Sequence, residues 1–282
     1  MSKPAFSFEF FPAKTEQGHE KLLSTYDELN KLSPAYFSVT YGAGGSTRSR
    51  TLDIVQALSA RSETEIAPHM SCIGDDKAQI AELLEFYKSL GIRRLVALRG
   101  DLPSGQVGMG ELPFAVDLVK FIREYSGDHF HIEVAAYPEM HPQARSFDFD
   151  VDNLVNKYRA GANASITQFF YNADSYLYLR DTLEKRGIDT IAQPLVAGIM
   201  PITNSSNLIR FADSCGADIP RYVRKRLADF GDDSKSIREF GFDVVYRLCE
   251  RLMSEGVPAM HFYSMNKVEP NKRLVEALGL TV

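Results

Sequence analysis

The chain alternates between short apolar runs and longer segments in which apolar residues recur every three or four positions. Short runs rich in β-branched and aromatic residues are typical of buried strands, whereas the longer period indicates amphipathic helices. Eight runs meet the strand criteria: residues 5–10, 36–40, 66–72, 95–98, 131–137, 165–169, 191–199 and 259–263. Because helical segments separate nearly all of them, the pattern predicts a parallel sheet of eight units, which favours a closed (β/α)8 TIM barrel over an open sheet.

The connection between the seventh and eighth predicted strands is longer than the others. It contains three helical segments, residues 207–214, 220–229 and 235–255, where a regular unit needs one. We therefore expect extra helices after strand 7, the first of which lies near the strand ends where barrel enzymes hold their substrates. Residues 1–282 fit a single barrel domain, since barrels of about 250 residues form one core.

Composition and charge narrow the class of protein. The chain is 44% hydrophobic and 24% charged, which suffices for a core without disulfides or metal. A net charge of -5 argues against a nucleic-acid-binding protein, because affinity for phosphates comes from clustered Lys and Arg. Three widely spaced cysteines, with neither an export signal nor an apolar run of membrane-spanning length, predict a cytoplasmic protein that acts on small molecules without a membrane.

Reactive side chains recur where the predicted strands end. They are Glu9, Thr40, His69, Asp101, Tyr137, His141, Gln168 and Tyr263. In a barrel the carboxyl ends of all strands converge on one face, so this series predicts an active site there. Strand alternation places Glu9 either against the helices and solvent or inside the barrel. In the second placement we expect burial to raise its pKa and suit it to general acid catalysis.

Several of these residues also have a structural interpretation. Asp101 sits in a turn that it would cap. His69 and His141 each adjoin a proline, and a lone histidine more often has a structural role. His129 and His131 form an H-x-H pair, but they begin a strand instead of ending one, so we predict no metal site.

Seven phrases stand in order at the predicted strand ends: SFEFFP (7–12), SVTYGA (38–43), APH (67–69), ALRGD (97–101), AYPE followed by HP (136–142), TQFF (167–170) and GIMPI (198–202). Together they resemble the bacterial type of 5,10-methylenetetrahydrofolate reductase. One phrase alone is a modest hint, whereas the ordered series from the first strand to the last is specific.

The resemblance implies bound FAD, with NADH or NADPH as electron donor. Two successive hydride transfers through the flavin would reduce 5,10-methylenetetrahydrofolate to 5-methyltetrahydrofolate, which feeds methionine synthesis, and the enzyme would be a homo-oligomer. By position, Glu9 resembles the general acid and Asp101 the carboxylate between flavin and pterin, while Gln168 and Phe211 resemble residues that hold the substrate. The residues that would bind FAD are Thr40, His69, Leu98, Arg99, Gly100, Asp101, Tyr137, His141, Asp150 and Lys157.

Lys267 departs from the family pattern, which has arginine there. Lysine keeps the charge but loses the bidentate fork that arginine offers a carboxylate. We expect Lys267 to contact the glutamyl tail of the folate.

Two other functions remain open from the residues alone. One is a barrel aldolase or metal-dependent hydrolase, although no strand-end lysine or clustered ligand set favours it. The other is a non-catalytic binding protein on the same fold. The carboxyl, amide, imidazole and phenol side chains at the predicted strand ends favour an enzyme over this non-catalytic alternative.

Overall fold

A computed structural model describes residues 3–41, 45–101 and 110–281 of the chain. Eight parallel strands close into a barrel in sequence order, and the last strand pairs with the first. The strands are β1 Ala5–Phe10, β2 Tyr36–Val39, β3 Glu65–Ser71, β4 Arg94–Leu98, β5 His131–Ala136, β6 Ala164–Thr167, β7 Leu195–Ile199 and β8 Ala259–Tyr263. The predicted (β/α)8 barrel is confirmed.

Helices follow the strands around the outside of the barrel. They are α1 Glu16–Asn30, α2 Gly45–Ser59, α3 Lys77–Ser89, α4 Ala115–Ser126, α5 Phe147–Arg159, α6 Ala173–Lys185, α7 Ser205–Cys215, α8 Arg221–Asp229, α9 Ser234–Ser254 and α10 Asn271–Ala277. Side-chain caps fix several starts: Asp76 accepts from the Gln79 N–H in a capping box, and Ser146 accepts from the Phe149 N–H. Helices α7 to α9 confirm the expected extra helices after strand 7.

The start of the seventh strand was predicted wrongly. Strand β7 begins at Leu195, four residues after the apolar run begins at Ile191. The Asp189 carboxylate accepts hydrogen bonds from the N–H groups of Ile191 and Ala192, at 3.0 and 3.1 Å. This local turn overrides the apolar pattern and leaves Ile191 91% exposed. The other predicted strand limits agree within one or two residues, and most of the expected loop 101–111 lies outside the described residues.

The main core lies between the barrel and its helices. Phe8, Phe10, Phe37 and Phe262 point outward from β1, β2 and β8 and are fully buried, with the Phe10 and Phe37 rings stacked at 5.4 Å. Alternation along β1 therefore turns the neighbouring Glu9 into the barrel, and its side chain is only 16% exposed. Among the helices of the described ranges, none has the length and hydropathy that a membrane span requires.

Candidate active site

A cavity of about 340 Å³ lies at the carboxyl ends of the strands. We call this end of the barrel the carboxyl end and the opposite one the amino end. Six of the predicted site residues line the cavity together: Glu9, His69, Leu98, Tyr137, Gln168 and Phe211. Helix α7 contributes Phe211, Ser214 and Cys215 to its wall, as expected for the first extra helix. The cavity is thus formed by residues from distant parts of the chain.

Glu9 lies among imidazoles and hydroxyls. Its Oε2 atom is 3.2 Å from His69 Nε2 and 3.4 Å from His261 Nε2, and the Ser38 hydroxyl donates to it at 3.3 Å. On its other side the His261 ring reaches Ser7, with Nδ1 2.6 Å from Oγ. Ser7, Ser38 and His261 are all buried. The carboxylate is therefore linked through a histidine to a serine deeper in the barrel.

The expectation of a raised pKa for Glu9 is wrong. Burial does raise the pKa, but the charge of His69 and the hydrogen bonds from His261 and His69 outweigh burial and hold the pKa at about 2. Glu9 is therefore an ionised carboxylate that shares protons with its imidazole neighbours, rather than a lone protonated acid.

Ser7, Ser38 and His261 complete this cluster, and none of the three was predicted as a site residue. Ser7 precedes Glu9 by two positions, and His261 precedes the recognised Tyr263 by two. Alternate residues of a strand face the same side, so strand parity alone assigns both to the barrel interior. Strand parity does not predict that Ser7 and His261 touch, because their contact depends on the pairing of β8 with β1.

A second polar group lies beside the cavity, between β5 and α5. The Tyr137 and His141 rings meet edge to face at 4.6 Å, and Asp150 accepts from the His141 N–H at 2.8 Å. The Lys157 ammonium donates to the Ala135 carbonyl at 2.5 Å. Burial lowers the Lys157 pKa to about 8 despite the opposing charge of Asp150. Four predicted cofactor residues are thus brought together.

Arg99 and Gly100 shape the end of β4. Arg99 donates to Gln143 Oε1 at 2.8 Å, which joins β4 to the loop after β5. Gly100 has a φ of +84°, and a Cβ there would lie 1.9 Å from Ser71 Oγ. Only glycine fits this turn without displacing the neighbouring strand.

Eight predicted site residues do not line the cavity, among them Thr40, Asp101 and Lys267. Thr40 follows β2, where its carbonyl accepts from Thr51 Oγ1 at 3.1 Å. Asp101 is exposed and borders residues that the structure does not describe, and Lys267 is exposed after β8. Their assigned roles stay predictions. Within the described ranges, no group of three or more His, Cys, Asp or Glu is arranged to hold a metal ion.

A closed β/α barrel whose strand ends hold a carboxylate between imidazoles defines a barrel enzyme with acid–base groups in its cavity. The family model described as methylenetetrahydrofolate reductase matches residues 1–279. The chain belongs to this family of oxidoreductases.

Relatives agree with this assignment. The 5,10-methylenetetrahydrofolate reductase of Pectobacterium carotovorum is 40% identical over 97% of this chain and 90% of its own. Methylenetetrahydrofolate reductase (NADH) 1 of Arabidopsis thaliana is 35% identical over 99% of this chain, which spans 49% of that relative. A solved structure of an uncharacterized Clostridium thermocellum protein, which binds two copies of 5-methyl-5,6,7,8-tetrahydrofolic acid, has a TM-score of 0.66 at 16% identity, covering 98% of this chain and 93% of that one. At that identity the likeness shows the fold alone.

Proposed function

We propose that the chain is one catalytic domain that reduces 5,10-methylenetetrahydrofolate to 5-methyltetrahydrofolate with bound FAD and a reduced nicotinamide. The observation that carries the proposal is the ionised Glu9 between His69 and His261 in the strand-end cavity of a chain that belongs to this family. The plant relative's name supports NADH as a donor. We further propose that the enzyme acts in the cytoplasm as a homo-oligomer and feeds methionine synthesis.

The residues present suit FAD. Lys157, His141 and Arg99 supply cationic and N–H donors of the kind that bind a pyrophosphate. Tyr137 offers a flat aromatic face to a ring system, and Leu98 adds apolar contact. Thr40, His69, Gly100, Asp101 and Asp150 complete the proposed set. FAD, when bound, supplies the hydride-carrying chemistry between the nicotinamide and the folate.

Glu9 transfers the proton that the reaction consumes. Reduction forms a C–H bond at the methylene carbon and breaks that carbon's bond to one ring nitrogen, which must gain a proton as it leaves. Because Glu9 is ionised, we infer that a neighbouring imidazole holds this proton and that Glu9 passes it on. His261 has the better position to resupply Glu9, since it contacts Ser7 on the side away from the cavity.

Other residues hold the folate. Gln168 and Phe211 line the same cavity as Glu9 and are suited to contact the ring system through an amide and an aromatic face. Asp101 would place a second carboxylate near the pterin. Lys267, exposed after β8, would meet the carboxylates of the glutamyl tail as a single cation.

The test is a separation of the two half-reactions. Purified protein should be yellow and release FAD on denaturation, and its melting temperature should rise with added FAD, since occupancy at one hundred times Kd adds about 2.7 kcal/mol to stability. Anaerobic stopped-flow absorbance should show the flavin bleached by NADH or NADPH and restored by methylenetetrahydrofolate. A protein that binds no FAD, or whose reduced flavin is indifferent to the folate, would refute the proposal.

A further inference from the structure

Helix α7 forms part of the cavity wall, yet little packing attaches it to the barrel. Phe211, Ser214 and Cys215 of this helix line the cavity. Leu208 and Ala212 are its buried residues, and the rest of the helix is half-buried or exposed. One leucine and one alanine bury little apolar area, so hydrophobic packing stabilises the position of the helix only weakly. The contacts at its two ends therefore decide where this wall of the cavity lies.

The two ends of α7 are attached in different ways. At its start, Asn204 Oδ1 accepts from the Asn207 N–H at 2.8 Å, a cap that lies within the same segment of chain. Just after its end, the Asp218 N–H donates to Glu139 Oε2 at 2.7 Å. Glu139 belongs to the loop after β5, and its Oε1 accepts from the Ser175 hydroxyl of α6 at 3.5 Å. The Glu139 carboxylate therefore ties the end of α7 to the barrel.

The loop after β5 also packs directly against the end of α7. Gly216 ends the helix with a φ of +74°, and a Cβ there would lie 3.1 Å from Pro142 Cγ of the loop. Met140, in the same loop, has a φ of +83°, which residues other than glycine rarely adopt and which persists where the surroundings fix the backbone. The loop contains two residues of the proposed cofactor group, Tyr137 and His141. One loop thus contacts the end of α7 and contains cofactor residues.

We propose that Glu139 is a positioning residue that anchors the end of α7 and so fixes the folate-facing wall of the cavity before a ligand enters. The identity of the ligand rests on the proposed function, whereas the anchor rests on the contacts of Glu139 alone. Glu139 does not line the cavity, so it acts through the helix. A wall that moves freely must be ordered when a ligand binds, and that ordering lowers affinity. An anchored wall has already lost this freedom.

The reactivity of Cys215 toward iodoacetamide reports the position of α7 without any assay of activity. Its thiol is half-buried in the cavity wall, and burial raises its pKa, as does the charge of Glu139. Because the thiolate is the reactive form, Cys215 should be alkylated faster when α7 moves away from the barrel and the thiol meets water. Cys72 and Cys249 are buried elsewhere in the chain and serve as internal references.

Three substitutions separate the reach of the Glu139 side chain from its charge. Glu139→Ala removes both, Glu139→Gln keeps an oxygen that can accept from the Asp218 N–H, and Glu139→Asp keeps the charge on a side chain one methylene shorter. Peptide mass spectrometry of the purified full chain should show Cys215 alkylated about tenfold faster in the alanine and aspartate variants than in the glutamine variant, the change expected when one hydrogen bond holds the helix in place. Cys72 and Cys249 should keep their wild-type rates.

Glu111→Ala is the matched control. The Glu111 carboxylate also accepts from a backbone N–H at 2.7 Å, that of Lys77, but at the start of α3. Its removal should leave the alkylation of Cys215 unchanged. Rates that follow the charge, with the glutamine variant like alanine and the aspartate variant like the wild type, would overturn the proposal. An unchanged Cys215 in Glu139→Ala would overturn it too, as would equal acceleration of all three thiols, which marks a general loosening of the fold.

A kinetic arm, which rests on the proposed function, tests the consequence for ligand binding. The KM for methylenetetrahydrofolate should rise about tenfold in Glu139→Ala, while kcat changes little and Glu139→Gln restores the wild-type KM. A wild-type KM in Glu139→Ala, alongside faster alkylation of Cys215, would refute the role of the anchor in folate binding. Absence of any folate-driven reoxidation of the flavin in the wild type would instead refute the proposed function and leave the thiol result standing.

Discussion

Two carboxylates lie inside the barrel, and their partners differ in kind. Glu9 at the carboxyl end contacts His69, His261 and Ser38, all groups that gain, lose or pass on protons. Glu133 toward the amino end has Arg94, a permanent cation, and the Tyr36 hydroxyl as its partners at 2.8 Å, while the His131 imidazole lies farther off, with Nε2 3.7 Å from Glu133 Oε1. Their side chains are 16% and 2% exposed. Burial alone therefore does not distinguish a reactive carboxylate from an anchoring one; the proton-exchanging ability of the partners does.

The largest effect is expected from Glu9→Gln, which keeps the shape but removes the proton-exchanging group. Reoxidation of the flavin by methylenetetrahydrofolate should fall by about 10²–10⁴-fold, the usual contribution of general acid catalysis. Reduction by nicotinamide needs no acid and should survive. Stopped-flow absorbance measures both on the same protein. Equal slowing of the two half-reactions, or of neither, would mean that Glu9 is structural.

Arg94→Met is expected to act on stability. It removes the cation from beside the almost fully buried Glu133, and such an uncompensated charge typically costs about 3–5 kcal/mol. The free energy of unfolding should fall by this amount in a denaturant titration. A loss below about 1 kcal/mol would show that Glu133 needs no fixed countercharge, and the contrast with Glu9 would then fail.

Lys267→Ala tests a charge at the carboxyl end that reaches toward a ligand. Loss of one charge-assisted bond to the glutamyl carboxylates should cost about 1–3 kcal/mol of folate binding. The KM for folate should rise while nicotinamide oxidation stays the same, and Lys267→Arg should retain or improve affinity. The assignment is wrong if folates with and without the glutamyl group lose equally.

The smallest effect concerns His131 at the amino end, beside Glu133. Burial, with the nearby charges of Arg94 and Arg123, lowers its pKa to about 4 from an ordinary 6.5. The His131 imidazole therefore binds a proton more readily in the unfolded chain than in the folded one, so the free energy of unfolding should fall as pH falls from about 6.5 to about 4. The loss should be about 1 kcal/mol or less, because the side chain is partly exposed. His131→Gln should flatten that part of a plot of unfolding free energy against pH. If the slope is the same in His131→Gln as in the wild type, His131 is not the group that causes the loss of stability at low pH.

The sequence predicted the barrel because strand and helix periods alternate clearly along it. It missed the true start of β7, since a single side chain, Asp189, turns the apolar Ile191 outward. It also predicted the wrong direction for the Glu9 pKa. The burial was foreseen, but the imidazole of His261 comes from a strand 252 residues away and enters only when the barrel closes.

The proposed cofactor residues and the contact between Tyr36 and Glu133 were hard to predict for different reasons. Tyr137, His141 and Lys157 lie on a strand end, a loop and a helix, so no single period relates the three, and only the family resemblance assigned them together to a cofactor. Tyr36 and Glu133 lie near the starts of strands, where barrels seldom do chemistry. Their pairing depends on side chains that cross the barrel interior, which strand parity does not specify.

The contact between Ser7 and His261 joins residues 254 positions apart, and this separation has a kinetic meaning. Contacts so distant in sequence form late, because the entropy of closing the intervening chain must be lost before they stabilise anything. During synthesis, β1 emerges first and must wait for β8, so a nascent chain short of residue 261 lacks the histidine of the Glu9 cluster. Assembly of the proton-exchanging site is therefore coupled to ring closure, and its appearance during refolding marks the moment at which the eight-stranded barrel is complete.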